Sequence, residues 1–233
     1  VLTPVFSDIC RVGSYSYTLT GATTGSGTGD VSGQSFNVGT TTVTYTPMDA
    51  AGNVGTPCSF DVVVTDNEAP SINCPGTQTE TADANCSAML ADYTGLATVS
   101  DNCDANPTVT QEPQAGKTIT ATTIVTLTEK DAAGNSTACT ITVELEDTTP
   151  PNITCPSTQT ETADANCTAV LADYTGLATV SDNCDANPTV TQSPTAGMSI
   201  SANTTVTLTA MDADGNTATC TFEVVLDDNE IPT

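Results

Sequence analysis

The 233 residues include 10 Cys but only five Tyr, four Phe and no Trp, too few large side chains for one extensive core. Three Lys+Arg against 28 Asp+Glu, with no His, give a net charge of −25. That balance excludes nucleic acid and anionic membrane surfaces as partners, and it removes the side chains on which most acid–base and nucleophilic catalysis depends, so no enzyme is expected. No apolar run approaches the roughly 18 residues of a membrane span, and no basic stretch leading into an apolar one opens the chain.

A tandem repeat organises the rest. Cys74, Cys86, Cys103 and Cys139 recur as Cys155, Cys167, Cys184 and Cys220 at a constant offset of 81 (155 − 74 = 81). TQTETADANC at 77–86 returns unchanged at 158–167, and LADYTGLATVSDNCDANPTVTQ at 90–111 returns at 171–192. Residues 1–66 carry only the second half of the unit: SDIC at 7–10 matches SDNC at 100–103, and MDAAGNVGTPCSFDVVVTD at 48–66 matches KDAAGNSTACTITVELED at 130–147. A partial module at 1–66 and full modules at 67–147 and 148–233 are expected. The closing DNEIPT repeats the DNEAP that opens the second module, so the chain reads as a segment of a longer array.

In chain order the elements read as strands. In module 1, Cys58, Phe60, Val62 and Val64 fall on one face. In module 2, strands are expected near 71–81, 86–91, 95–100, 107–112, 117–121, 124–130 and 137–146. The last is the clearest, because Cys139, Ile141, Val143 and Leu145 alternate with Thr140, Thr142, Glu144 and Glu146. It follows TIVTLTEKD across AAGN, a turn whose Gly can take positive φ. Module 3 repeats the strand with Cys220, Phe222, Val224 and Leu226, and Thr and Val are abundant throughout. No segment sustains a helical period. Seven short strands per 81-residue unit predict an all-β, Ig-like sandwich. An odd number of strands puts the termini at opposite ends, so modules would string end to end as an elongated rod.

Strand order then constrains the cysteines. Cys74 and Cys86 lie on the order of 20 Å apart along one strand at about 3.3 Å per residue, too far for Cα atoms that must come within about 7 Å. Cys139 begins the last strand beside Cys74, and Cys103 follows the third strand near Cys86. The expected bonds are therefore Cys74–Cys139 and Cys86–Cys103, repeated as Cys155–Cys220 and Cys167–Cys184. Cys10 and Cys58 are expected to have had their partners in the half that module 1 lacks, and would pair with each other only if that half-module rearranges. A zinc–thiolate site is disfavoured because the chain has no CxxC pair and no His. Two bridges per small module imply an oxidising, extracellular setting.

The acids gather at predicted strand ends: Asp83, Asp101 and Asp104 at one end of module 2, Asp92 and Asp131 at the other, and Asp66, Glu68 and Asp147 in the linkers. Their counterparts Asp173, Asp182, Asp185, Asp212 and Asp228, with Asn135 and Asn216, complete the candidate ligand set. Stacking modules 2 and 3 would bring together Asp83, Asp101, Asp104, Asp147, Asp173, Asp212 and Asn216. A hard cation taking six to eight oxygens, calcium first among them, would neutralise such a group and stiffen the joint. The competing reading is that Asp131, Gly134 and Asn135 only build a turn, that DNCDANP caps its own loop, and that the remaining acids keep the protein soluble. MDADGN at 211–216 is not an EF-hand loop, since Gly215 is misplaced for one. Asn135, Asn152 and Asn203 head N-x-Ser/Thr triplets that arise readily by chance in a Thr-rich chain.

TTTVTYTPMDAAGN at 41–53, CSFDVVVTDNEAP at 58–70 and the INCP and ITCP openings at 72–75 and 153–156 together resemble the HYR, or hyalin-repeat, module. The resemblance implies an Ig-like sandwich found in tandem arrays of extracellular adhesion proteins. The four-cysteine form with SDNCDANPTVTQ resembles repeats of very large surface proteins of gliding bacteria. The family's common disulfide maps onto Cys74 and Cys139. Module 1 departs from the pattern in lacking its first half and in carrying GATTGSGTGDVSGQS at 21–35. The function expected is a calcium-stiffened, disulfide-stapled spacer of a bacterial cell-surface adhesin, partnered by neighbouring modules of its own chain. Further partners would be copies of itself or a surface polysaccharide or protein. The alternatives are a structural subunit of an extracellular filament, or a carbohydrate-binding module of a secreted enzyme. Few aromatic residues stand against the carbohydrate reading, since Tyr93 and Tyr174 suit packing better than sugar platforms.

Overall fold

A computed structural model describes residues 4–5 and 12–229, so Cys10, the SDIC motif and the last four residues lie outside the described residues. The chain divides into two compact units. One holds residues up to 73 with 99–109 and 128–138, and the other holds 74–98, 110–127 and 139 onward.

The first unit contains β1 (Val12–Gly21), β2 (Gly25–Thr28), β3 (Gly39–Asp49) and β4 (Cys58–Val64), in the sheet order β2-β1-β3-β4. Period-two alternation drives it: Tyr17 and Leu19 on β1 face Val43 and Tyr45 on β3, and Val31 joins them in the core. The Tyr45 hydroxyl also accepts the buried N–H of Val31 at 3.0 Å. On β4 the expected apolar face is only partly covered, with Phe60 36% exposed and Cys58 exposed and free. β4 is an edge strand of this sheet.

The first repeat copy supplies β5 (Ser71–Asn73), β6 (Gln78–Thr81), β7 (Ala88–Met89), β8 (Thr98–Ser100), β9 (Thr108–Glu112), β10 (Thr118–Ile119), β11 (Thr123–Lys130) and β12 (Ser136–Glu146). The second supplies β13 (Asn152–Thr154), β14 (Gln159–Thr162), β15 (Ala169–Val170), β16 (Thr179–Ser181), β17 (Thr189–Ser193), β18 (Ser199–Ile200), β19 (Thr204–Met211) and β20 (Thr217–Asp227). Each has one four-stranded sheet, β6-β12-β11-β9 or β14-β20-β19-β17, and two short ladders, so the fold is all-β and Ig-like. The expected first strand is divided at Cys74-Pro75 and Cys155-Pro156, because Pro has no N–H for the ladder. Its first part pairs with β8 or β16, and its second joins the last strand in parallel.

The second copy shows how the seven expected strands are arranged. β16 runs against β13, β15 runs against β18, and β19 runs against both β17 and β20. Leu171 and Met198 share a backbone hydrogen bond, and Gln192 Oε1 accepts the Tyr174 N–H at 2.8 Å. Residues 169–181 are therefore one ascending pass interrupted by the 3-10 turn Thr175–Leu177, and 189–200 one descending pass beside it. The second and third expected strands do not form a hairpin. Five passes replace seven, an odd number in both cases.

This arrangement corrects the disulfide expectation. Cys74 is bonded to Cys139 and Cys155 to Cys220, with Cα atoms 6.0 and 5.7 Å apart. Neither Cys86–Cys103 nor Cys167–Cys184 forms. Within the second copy a whole ascending pass separates Cys167, at the turn after β14, from Cys184, beyond β16. Cys86 is bonded instead to Cys184, 98 residues on, with Cα atoms 4.9 Å apart, so this bridge ties one repeat to the next. Cys103 and Cys167 are free and exposed.

The second core gathers Leu171, Tyr174, Ile200, Val206, Leu208, Phe222 and Val224, with Tyr174 edge-on to Phe222 at 5.2 Å. The Tyr174 hydroxyl donates to Glu161 Oε1 at 2.6 Å, and Tyr93 does the same to Glu80. Burial, then this hydrogen bond, then the Glu charge push both phenols up to about 12.

Two outcomes follow. Non-reducing peptide mapping should link the Cys86 and Cys184 peptides, and Cys184→Ser should lose on the order of 4 kcal/mol, the value for closing a loop near 100 residues; a Cys86–Cys103 peptide would contradict the fold. A phenol raised in the folded state stabilises that state while it stays protonated. Stability measured by urea unfolding should thus hold below about pH 10, the unfolded value, and fall between about 10 and 12. Tyr93→Phe with Tyr174→Phe should flatten that decline.

Candidate metal centres

Two groups of three aspartates converge, each built the same way. Asp66, Asp101 and Asp131 form the first and Asp147, Asp182 and Asp212 the second, with one carboxylate oxygen from each residue within 4.8 Å of the others. In each group one Asp ends a last strand or lies just beyond it, one opens the SDNC loop, and one opens the turn after the penultimate strand. The ascending pass carries the SDNC loop to the linker end. Asp101 therefore sits with Asp131, at the end that the hairpin reading gave to Asp131 alone.

Loop chemistry holds these carboxylates in place. Asp212 accepts the Asn216 N–H on Oδ1 at 2.8 Å and the Asn216 amide on Oδ2 at 2.9 Å, and that amide also donates to the Asp147 carbonyl at 2.9 Å. Asp131 and Asn135 repeat the pattern, with the Asn135 amide 3.2 Å from the Asp66 carbonyl. At Asp131 and Asp212 burial pushes the carboxyl up, but the Asn side-chain and backbone donors outweigh it and hold both below the usual range. Asp182 accepts the Cys184 and Asp185 N–H groups on Oδ1 at 2.9 and 2.8 Å, as Asp101 does from Cys103 and Asp104.

The opposite oxygens are left over. Asp101 Oδ2, Asp147 Oδ2, Asp182 Oδ2 and Asn183 Oδ1 are buried with no hydrogen-bond partner in the protein. Like charges about 4 Å apart cost on the order of 4 kcal/mol per pair near a protein surface, and a buried lone acceptor costs about 1–3 kcal/mol more. Carboxylate and amide oxygens without donors suit a hard cation, so the residues present fit calcium.

Other expected ligands have local duties. Asp92 and Asp173 accept from Thr94 and Thr175, Asp83 accepts from Asn85 and Ser87, and Asp185 caps Asn187. Asp104 accepts the Asn106 and Ala132 N–H groups, and Glu68 accepts from Asn102. Asp228 belongs to neither group. Of the set expected between modules 2 and 3, Asp147 and Asp212 meet in the second group, and Asn183 reaches the Asp83 carbonyl at 3.1 Å and Asp147 Oδ1 at 3.1 Å.

Two further residues, outside the expected set, carry buried oxygens without partners. Asn183 was hidden inside the SDNC motif. Glu129 is fully buried, with both carboxylate oxygens unpartnered. Burial, then Asp101 and Asp104, push its carboxyl up. It follows Val125 and Leu127 on the core-facing side of β11, so an acid at an apolar position of a period-two run was its signal.

A chain of all-β repeats with paired cysteines and conserved-geometry acidic loops at each linker is a tandem Ig-like module protein. The HYR domain model matches residues 16–64, 65–145 and 146–226, so the chain belongs to the HYR domain family. It is 36% identical to hyalin of Strongylocentrotus purpuratus over 152 residues, covering 63% of this chain and 12% of that protein. It is 34% identical to hyalin of Lytechinus variegatus over 210 residues, covering 86% of this chain and 39% of that protein. The chain thus spans well under half the length of either relative. Among solved structures, EC21-23 of human CDH23 covers 91% of the chain and 88% of its own at 16% identity and TM-score 0.42. A three-Ig segment of titin covers 81% and 75% at 10% identity and TM-score 0.42. Family and disulfides fit an extracellular adhesion-type repeat protein, and no helix among the described residues is long and apolar enough to cross a membrane.

Asn216→Ala removes the amide that joins Asp212 to the linker carbonyl. It should cost about 1–3 kcal/mol in urea unfolding; an unchanged midpoint would show that the turn holds itself.

Proposed function

We propose that the chain is a spacer segment of an extracellular, cell-surface adhesin, with modules at 1–66, 67–147 and 148–233 joined through calcium at their linkers. The observation that carries this reading is the convergence of a linker Asp with two loop Asp residues in both groups, with buried oxygens that no protein donor reaches. The bridge from Cys86 to Cys184 adds a covalent tie across the second linker. The partners are the neighbouring modules. Near-identical repeats support length as the selected property, because a single ligand site needs only one copy. The bacterial surface as the setting rests on the resemblance of the four-cysteine repeat to repeats of surface proteins of gliding bacteria.

Calcium that binds the folded chain alone stabilises it by RT ln(1 + [Ca]/Kd), about 2.7 kcal/mol at a hundredfold excess over Kd. The melting temperature should rise with calcium and fall with chelator, and protease should cut the linkers near Asp66 and Asp147 faster in chelator. Equal melting curves and equal cleavage in both conditions would sink the cation reading.

A further inference from the structure

The disulfide contact between the two repeat copies has two halves, and each half occurs a second time without its mate. Cys86, in the turn after β6, is bonded to Cys184, in the loop after β16. Their repeat counterparts, Cys167 and Cys103, are free and exposed (86 + 81 = 167; 103 + 81 = 184). Both unmated halves already hold the mated conformation. Cys167 keeps φ at 57°, a left-handed value rare for any residue but Gly, with no bond to impose it, against 52° at Cys86. Asp164 accepts the Asn166 and Thr168 N–H groups as Asp83 accepts those of Asn85 and Ser87. Asp101 accepts the Cys103 and Asp104 N–H groups at 2.9 and 2.7 Å, and Asp182 accepts those of Cys184 and Asp185 at 2.9 and 2.8 Å. What changes is cover: Cys86, Asn183 and Cys184 are half-buried and Ala82 is buried, whereas Cys167, Asn102 and Cys103 are exposed and Ala163 is only half-buried.

We propose that the chain joins further copies of itself through a disulfide from Cys167 of one copy to Cys103 of the next. The partner is a second copy because Cys103 lies in SDNCDANPTVTQ at 100–111, the sequence that mates with the Cys86 turn where it recurs at 181–192. Cys167 likewise closes the same TQTETADANC that ends at Cys86. The polar part of the contact is also in place. In the mated pair the Asn183 amide donates to the Asp83 carbonyl at 3.1 Å, and that oxygen accepts the Cys86 N–H at 3.0 Å as well. The Asp164 carbonyl accepts the Cys167 N–H at 2.9 Å and has a second lone pair for an incoming amide. Asn102 donates to Glu68 of its own linker as Asn183 donates to Asp147, which leaves its other amide hydrogen for that carbonyl. A turn meeting a loop is a heterologous contact, so a joined pair still presents one free Cys103 and one free Cys167, and addition continues. Thiol–disulfide exchange with a small disulfide such as oxidised glutathione makes the bond. The Cys167 thiolate attacks one glutathione sulfur and releases a thiolate; the Cys103 thiolate of the second copy then attacks the Cys167 sulfur and releases the other. Both protein thiols are oxidised, the small disulfide is reduced to a pair of thiols, and these take up the protons.

Incubating the whole chain at high concentration with oxidised and reduced glutathione tests this. In every sample Cys10→Ser and Cys58→Ser leave Cys103 and Cys167 as the only cysteines outside the three bridges. Non-reducing gels should show a ladder of covalent multimers that collapses to monomer in dithiothreitol, and peptide mapping should link Cys167 to Cys103. Cys103→Ser alone and Cys167→Ser alone should each stay monomeric. An equimolar mixture of the two should give dimer and nothing larger, because one contributes only Cys167 and the other only Cys103. Dimers from either single variant alone, peptides linking like cysteines, an internal Cys103–Cys167 bond, or a chain that stays monomeric with both thiols free would overturn the inference.

Discussion

Single carboxylate oxygens that no protein donor reaches, Oδ2 of Asp101, Asp147 and Asp182, are the constraint around which each linker is built. An isolated ionised acid is tolerated inside a protein only when paired, protonated or bound to a metal. Here three come together twice, and the Asn side chains of the following turns satisfy one face of each group while leaving the other open. The amides of Asn135 and Asn216 reach linker carbonyls as well as carboxylates, so linker and turn are fastened to each other even before a cation is considered. Geometry is thus set by neutral donors, and the charge they leave uncompensated is what a cation would answer.

That convergence depends on strand direction. The ascending pass through β15 and β16 delivers Asp182 to the end where Asp147 and Asp212 lie, and a hairpin between those strands would have delivered it to the far end. The 3-10 turn at Thr175–Leu177 makes the pass continuous, helped by Gln192, whose side chain accepts from Tyr174 and donates to the Ala172 carbonyl at 3.0 Å. One glutamine thereby holds the two passes in line where neither has enough regular ladder to do so. The core above it is small and aliphatic with a single aromatic pair, consistent with modules that rely on cross-links as well as burial.

Much of this was legible in the residues. Alternation fixed β11, β12, β19 and β20 closely, and the Cys-Pro openings marked the start of each copy. Direction was not legible, because strands of two or three residues such as β7 and β8 carry no periodicity long enough to tell a hairpin from an interrupted pass. From that one ambiguity came both errors of position, the place of Asp101 and the partner of Cys86. Glu129 was missed for a different reason. An acid at the end of a Thr-rich strand reads as a solvated edge unless its phase is followed from Val125 through Leu127.

Identical local sequence also takes two states in this chain. TQTETADANC occurs twice, its final Cys held at positive φ both times, 52° at Cys86 and 57° at Cys167, and its Asp accepting the same turn N–H groups. Cys86 is nevertheless bonded and Cys167 free. What differs is the tertiary neighbour: Cys86 has the SDNC loop of the next copy within reach, where Asn183 also holds the Asp83 carbonyl. The bond is therefore a property of the contact between copies and not of the turn that presents the thiol. A bridge within a copy would have stabilised one sandwich and left the linker as it was; a bridge from one copy to the next restrains the segment that contains Asp147. The covalent tie and the acidic group thus act on the same linker, one by limiting its excursions and the other by collecting negative charge there.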